Sequence, residues 1–245
     1  METVGGYTIS RETIDSGRKI SKATKDDITV AVKIIRNPTD KEIKRIKIWE
    51  TFDHSNIIKL IECIHLNDKI YLFMELGDKD LYKCIEETCF FSEEASLVML
   101  EQIAKAIKYM HDKGISHRDV KSDNIISHNG KWKLIDFEYI DENEKSTECK
   151  GTPLFISPEE IKDNIYYLKP TDVWSLGITY YEMIFSVTPF DGYNRDKVIK
   201  SIVNDKIKLN NKKLSEKSII LIKGMLNKNP AERLTIDKVL TIIQK

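Results

Sequence analysis

Apolar residues recur in three short β-branched runs early in the chain, residues 29–35, 57–64 and 69–75, with one helically spaced stretch, residues 40–52, between them. From about residue 80 the spacing turns helical, over 95–111, 172–185 and 216–226, interrupted by a strand-like piece at 131–135. The pattern predicts an α+β chain folded as one domain over residues 1–245. Its parts are a small β-rich lobe with one main helix (1–76), a connection (77–80) and a larger helical lobe (81–245), with the ligand expected in the cleft between lobes. No internal repeat is visible. About one helix follows Arg233, from which no appended regulatory domain is expected.

Composition narrows the function classes. With 41% hydrophobic and 32% charged residues over 245 positions, the chain has the make-up of a globular protein with a substantial core. Its 39 basic and 39 acidic residues cancel, so no long-range field draws it to nucleic acid or to an anionic membrane. No apolar stretch reaches the roughly 18 residues of a membrane span, and the first ten residues lack the basic-then-apolar order of a leader. These features predict an intracellular protein of the cytoplasm or nucleus, a monomer open to a regulatory partner, binding neither nucleic acid nor membrane. Cys63, Cys84, Cys89 and Cys149 form no Cys-x-x-Cys pair and follow no histidine rhythm, which fits reduced packing thiols. The Lys- and Asn-rich residues 206–217 read as a solvated loop between helices rather than a nucleic-acid patch.

One octapeptide carries chemistry: His117-Arg118-Asp119-Val120-Lys121-Ser122-Asp123-Asn124, placed between a helical stretch and the apolar pair Ile125-Ile126. It resembles the catalytic loop of protein kinases. Phosphoryl transfer asks little covalent work of a protein; it needs a carboxylate to orient the attacking hydroxyl and cations to absorb phosphate charge. The resemblance assigns Asp119 to accept the hydroxyl proton, Lys121 to steady the γ-phosphate and Asn124 to hold Mg²⁺, lysine at 121 being the serine/threonine-specific choice. Leu134-Ile135-Asp136-Phe137 is similar to the metal-binding strand end, which puts Asp136 on Mg²⁺ or Mn²⁺. Val30-Ala31-Val32-Lys33 is similar to the strand whose lysine meets the α and β phosphates of ATP. Residues 151–159 resemble the end of the activation segment, with Thr152 beside Asp119 and Lys121, and Glu159 paired to Arg233. Asp172-Val173-Trp174-Ser175-Leu176-Gly177 resembles the buried helix whose aspartate anchors the catalytic-loop backbone; a buried aspartate without partners would be costly. In family order these matches run from about residue 14 to 240. They imply the bilobal protein-kinase fold, an ATP cleft between a small N-lobe and a helical C-lobe, and transfer of the γ-phosphoryl of ATP to Ser/Thr hydroxyls of protein substrates.

By the same resemblance the nucleotide meets Ile14, Gly17 and Ile20 in the phosphate-covering loop, and Ala31 and Lys33 on the strand. Met74 is the gatekeeper, Glu75, Leu76 and Gly77 the hinge, Asp80 the ribose neighbour and Ile126 the floor under the adenine. His54 is a packing residue after the small-lobe helix. The family pattern is broken in three places. The loop at 14–20 keeps one glycine and is about two residues short, which predicts a weaker backbone grip on phosphates. Arg18 and Lys19 are candidate replacements. Arg45 stands where Lys33's glutamate partner belongs, with Glu42 able to serve if the helix shifts by about a turn. Glu138 replaces the glycine after Asp136-Phe137, and a side chain there resists positive φ by about 1 kcal/mol or more, hindering the flip that inactivates many kinases. Two accounts stay open: Arg45 and Glu138 as paired changes, with Glu138 meeting Arg45 or Lys33, or independent drift.

Thr147 is the expected phosphorylation position, read by Arg118, with Glu148 as a partial substitute for the phosphate. Glu160, Glu182 and Asp191 are candidates to select basic residues beside the phosphoacceptor. Residues 173–190 and 214–240 most resemble the calcium/calmodulin-kinase, AMP-kinase and checkpoint-kinase group. The rival reading is a pseudokinase, a nucleotide- or partner-binding scaffold on the same fold. A small-molecule kinase fits poorly, because residues 151–159 resemble a protein-substrate feature.

Overall fold

Strands β1 (Glu2–Val4), β2 (Tyr7–Asp15), β3 (Ile20–Lys25), β4 (Ile28–Arg36), β5 (Leu60–Leu66) and β6 (Lys69–Met74) form one antiparallel sheet in the order β1-β2-β3-β4-β6-β5. They belong to a computed structural model that describes residues 2–15, 17, 19–88, 91–147, 152–163, 166–209 and 213–245. Arg18, Cys89, Glu148, Cys149 and Gly151, singled out above, lie outside the described residues. Turn chemistry sets the hairpins. Gly5-Gly6 (φ 58° and 85°) and Asp26-Asp27 (φ 48° and 63°) hold both central residues at positive φ, the condition for a two-residue turn whose twist matches its strands. Period two then sorts the side chains of β4. Ala31, Lys33 and Ile35 line the cleft, while Val30, Val32 and Ile34 pack into an outer cluster with Tyr7, Tyr71 and Phe73.

Helix α1 (Asp40–Glu50) starts at a capping box, Thr39 with Glu42, and buries Ile46 and Trp49 beneath the sheet. The apolar run at 57–64 proves to be two things. Leu60 onward is β5, whereas Ile57 and Ile58 are stitched to Leu134, through a bridge and through the Ile58 amide to the Leu134 carbonyl at 3.0 Å. A fully buried apolar pair looks the same in either role.

The rest is mostly helical: α2 (Leu81–Thr88), α3 (Glu93–Asp112), α4 (Pro158–Asp163), α5 (Leu168–Phe185), α6 (Arg195–Asn204), α7 (Glu216–Met225) and α8 (Ile236–Ile243). Between them lie the short strands β7 (Lys79–Asp80), β8 (Ile125–His128) and β9 (Lys131–Leu134), paired in that order, and the pair β10 (Lys145–Ser146) and β11 (Tyr166–Tyr167). Helix α5 is buried nearly all round, as a helix at the centre of a lobe must be. It begins four residues before the predicted 172, because Pro170 sits in its first turn, where no intrahelical donor is lost. Asn129-Gly130 (φ 50° and 72°) closes the β8–β9 hairpin and so places the catalytic octapeptide directly ahead of it. Among the described residues, no helix is long and apolar enough to cross a membrane.

Candidate active site

The lower wall of the cleft is built on Asp172, 1% exposed in α5. Its carboxylate accepts the amides of His117 (2.8 Å) and Arg118 (2.7 Å), and His111 Nε2 lies 2.9 Å away. These bonds hold Arg118 at φ 70°, a left-handed backbone uncommon for a long side chain. His117 in turn donates through Nε2 to the Ile135 carbonyl (3.0 Å) and accepts the Asp119 amide at Nδ1 (3.2 Å), which fixes its neutral tautomer. Asp119 is thus presented at a set angle. Its carboxylate meets Asn124 Nδ2 at 2.8 Å, Lys121 Nζ at 2.9 Å and Thr152 Oγ1 at 3.4 Å, and Lys121 also donates to Thr152 at 2.7 Å. Below the activation segment, Arg233 donates to both oxygens of Glu159 at 2.7 Å each, fully buried, with its guanidinium over the Trp174 ring.

Asp119, Lys121, Asn124, Asp136 and Thr152 line one cavity of ≈ 240 Å³. The hard oxygens of Asn124 and Asp136 suit Mg²⁺, which takes one or two protein ligands and completes its shell with phosphate and water. Among the described residues no three His, Cys, Asp or Glu side chains form a closed metal cage. Phe137, next to Asp136, is buried among Trp49, Phe52 and His117 with ring centroids 5.1 to 5.5 Å away. Helix α1 is thereby packed on the strand end that carries Asp136.

A larger cleft of ≈ 400 Å³, the size of a small-ligand site, opens beside this cavity. Ile14, Ile20, Ala31 and Lys33 line its roof, and Met74, Glu75, Leu76 and Gly77 its back edge; Asp80 and Ile126 complete the floor. Gly17 is exposed and does not reach the cavity wall. At the hinge, a Cβ on Gly77 would lie 2.2 Å from Ile126 Cδ1, so only glycine lets Ile126 approach this closely. Glu75 points away from a nucleotide-like occupant: it accepts Lys133 Nζ at 2.6 Å and the Lys59 amide at 2.9 Å. Burial works to raise the Glu75 carboxyl, but those donors prevail and hold it below its usual range. His128 Nδ1 donates to the Leu76 carbonyl at 2.8 Å. His54 packs on Tyr109, its pKa lowered by burial.

The broken positions resolve unevenly. Lys33 contacts Glu138 Oε1, and Asp136 Oδ1 lies 4.0 Å from the same ammonium. Among the described residues Arg45 hydrogen-bonds neither Glu138 nor Lys33; its Nε donates to the Ile140 carbonyl at 3.1 Å. Glu42 is committed to the capping box, and hydrogen bonds from Thr39 hold its carboxyl below the usual range. Glu138 is not among the residues at positive φ, so its side chain strains nothing in this conformation, whereas Asp136 is, at φ 67°. Glu160 is buried and accepts the Ser157 amide (2.6 Å) and hydroxyl (2.8 Å), so it faces no substrate. Thr147 is exposed. Arg118, expected to read a phosphate there, pairs with Asp141 at 2.8 Å and lies 3.4 Å from the Ser146 hydroxyl. Sequence reasoning does not find Asp141, Lys133 or His128. Only their spacing from Asp136 and from the Asn-Gly turn marks them, and that marks nothing until the strands are paired.

Residues 16–242 match the family model described as "Protein kinase domain". The chain is 34% identical over 222 residues to sperm motility kinase 2B of Mus musculus, covering 86% of this chain and 45% of that protein. It is 32% identical over 225 residues to calcium-dependent protein kinase 5 of Plasmodium falciparum (isolate 3D7), covering 86% and 39%. With NUAK family SNF1-like kinase 1 of Homo sapiens it shares 32% over 246 residues, 94% of this chain and 37% of the other. The chain thus spans less than half the length of these relatives. Its relatives are calcium/calmodulin-kinase-group serine/threonine kinases, enzymes that use ATP with a divalent metal on protein substrates. Read together with the match over residues 16–242, the anchored catalytic loop and the cleft above it place this chain in the protein kinase family, within its serine/threonine branch.

Proposed function

We propose that the chain is a catalytically active serine/threonine kinase, not a scaffold. What supports this most is the convergence of Asp119, Lys121, Asn124 and Asp136 on one cavity directly beside the nucleotide-sized cleft that holds Lys33. Asp119 accepts the proton of the substrate hydroxyl as its oxygen bonds to the γ-phosphorus of ATP; the bridging P–O bond breaks and ADP leaves. Lys121 and Lys33 offset phosphate charge, and Thr152 keeps Lys121 and Asp119 in register. Asn124 and Asp136 would hold the divalent ion, Mg²⁺ with Mn²⁺ as a substitute, whose positive charge would offset that of the phosphates. Ala31, Met74, Gly77 and Ile126 enclose the adenine.

The substrates are proteins, with basic residues beside the phosphoacceptor selected by the exposed Asp191; burial raises the carboxyl of Glu182 and so disfavours the charge that such selection needs. The protein acts as a monomer of the cytoplasm or nucleus, one domain over 1–245, and admits a regulatory partner. Thr147 is the phosphorylation position.

The second reading, a pseudokinase scaffold, draws on Arg45 and Glu138. Radiolabelled ATP with a generic protein acceptor separates the two. Asp119→Asn is expected to cut transfer by about a hundred- to ten-thousandfold while the protein still binds nucleotide. Transfer that is absent in the wild type, or indifferent to the substitution, leaves the scaffold.

A further inference from the structure

Lys33 can align phosphates only if something fixes its flexible stem, and in protein kinases a glutamate on the small-lobe helix does so. Here no carboxylate of that helix forms an ion pair with Lys33 among the described residues, although Glu42 lines the same cleft. Arg45 occupies the place and is tied to the Ile140 carbonyl, while both the amide and the hydroxyl of Thr39 engage Glu42. The carboxylate that reaches Lys33 comes instead from Glu138, two residues past Asp136.

The segment around it is built for that exchange. Residues 138, 140 and 142 face the small lobe: Glu138 to Lys33, the Ile140 carbonyl to Arg45, and Glu142 to Lys44 at 2.6 Å. Residues 139 and 141 face the catalytic loop. Tyr139 lines the lower cavity, and Asp141 binds Arg118 while its backbone pairs with Ser116. Contacts to both sides thus clamp residues 138–142 from above and below. Glu138 alone lines both the nucleotide cleft and the lower cavity among the three residues that face the small lobe. Its backbone is unstrained there, so glycine is not needed at this position.

We infer that Glu138 is the positioning residue for Lys33 in this kinase and that Arg45 ties the segment that carries it to α1, so that the carboxylate fixing Lys33 comes from the segment after Asp136 and not from α1 itself. Without Glu138, Lys33 and Arg45 would present two cations to the back of the cleft beside Asp136 and the cap-bound Glu42, neither of which makes a close ion pair with Lys33. The inference rests on the kinase reading for its turnover arm, but its binding arm stands apart from it.

The test uses the purified full chain and five proteins: wild type, Glu138→Gln, Glu138→Gly, Arg45→Glu and the double variant Arg45→Glu/Glu138→Gly. The measurements are kcat and KM for ATP, the affinity for a non-hydrolysable ATP analogue with Mg²⁺, and the unfolding temperature. Glu138→Gln is expected to lose about tenfold in kcat/KM for ATP and to bind the analogue more weakly, with an unchanged unfolding temperature. Arg45→Glu should lose activity too, because it sets two carboxylates against each other and frees the segment. The double variant, which returns the carboxylate to α1, should recover most of what Glu138→Gly loses. A merely structural role for Glu138 would not produce that recovery. The inference is overturned if Glu138→Gln stays within about twofold of wild type in both kcat/KM and analogue affinity, or if the double variant is no better than Glu138→Gly. If the wild type itself transfers no phosphate, the proposed activity is wrong, and the analogue affinities of the same five proteins still decide for or against Glu138.

Discussion

The two walls of the cleft are held by opposite means. Below, Asp172 accepts three donors at 1% exposure, His117 uses both ring nitrogens, and Arg233 grips both oxygens of Glu159 out of reach of water. Above, the contacts are single and partly solvated: Glu138 is 46% exposed where it meets Lys33, and the Lys44–Glu142 pair is more open still. A buried network allows no partial change, because each removed partner strands another polar group. A half-exposed ion pair can be rebuilt from another element at small cost. The lower wall therefore carries the residue types that its motifs prescribe, and in the upper wall Lys33 meets a carboxylate from a different element.

The hardest test of that contrast is Asp172→Ala. It leaves two buried amides and the His111 imidazole without an acceptor, at about 1–3 kcal/mol each, which is several kcal/mol in a chain whose whole stability is on the order of 10 kcal/mol. The expected outcome is poor soluble yield and a large drop in unfolding temperature, with activity lost at the same time. If Asp172→Ala folds with a Tm near wild type, the lower wall is not the interdependent network that its bonds suggest, and the contrast fails.

Legibility in the sequence follows the same division. Asp119, Asn124 and Asp172 are readable as a set because a buried backbone that must be satisfied constrains both residue type and spacing: Asn124 donates to the Asp119 carbonyl and carboxylate, and Asp172 accepts the His117 amide. The helical lobe was readable for a related reason: its apolar spacing is dictated by burial, as in α5. Strands β1, β2 and β3 were not, since much of β2 is exposed and shows little alternation. Arg45 and Glu138 were visible as departures, yet which of Arg45 and Lys33 meets Glu138 depends on where α1 lies, and no spacing along one chain states that. Asp141 gives no signal either, because its partner Arg118 lies 23 residues away and the two meet only after Ser116 pairs with Asp141.

Glu160 tests the lower wall by pH. Burial pushes its carboxyl up to about 7 from an ordinary value of 4.5, the Ser157 amide and hydroxyl oppose the rise, and the neighbouring Glu159 charge adds to it. The protonated form is therefore the one the fold favours. Its contribution is fully present below about 4.5 and is lost as pH rises through about 7. At roughly 1.4 kcal/mol per tenfold change in proton affinity, the loss is at most about 3 kcal/mol. Glu160→Gln keeps an acceptor for Ser157 and cannot ionise. Denaturant unfolding at pH 5 and pH 8 should show the wild type losing stability relative to this variant at the higher pH. An equal difference at both pH values would mean that Glu160 is solvated and that the wall is less dry than its exposure indicates.

The smallest expected effect lies at the hinge, where the two walls join. Gly77→Ala adds a Cβ that would stand 2.2 Å from Ile126 Cδ1 and 3.0 Å from its Cγ1, so Ile126 must turn into the space proposed for the adenine. Overpacking of this kind costs about 1–3 kcal/mol in a fixed core. Here Ile126 is only partly buried and can yield, so the cost should appear in nucleotide binding and not in folding. The expected result is a KM for ATP raised about tenfold, with kcat and unfolding temperature nearly unchanged. Ile126→Val on the same background removes the methyl group that collides and should restore most of the affinity. If instead kcat falls and the second substitution does not help, Gly77 is needed for the backbone of the hinge and not for the approach of Ile126. The hinge would then belong, by its mode of failure, with the interdependent lower wall.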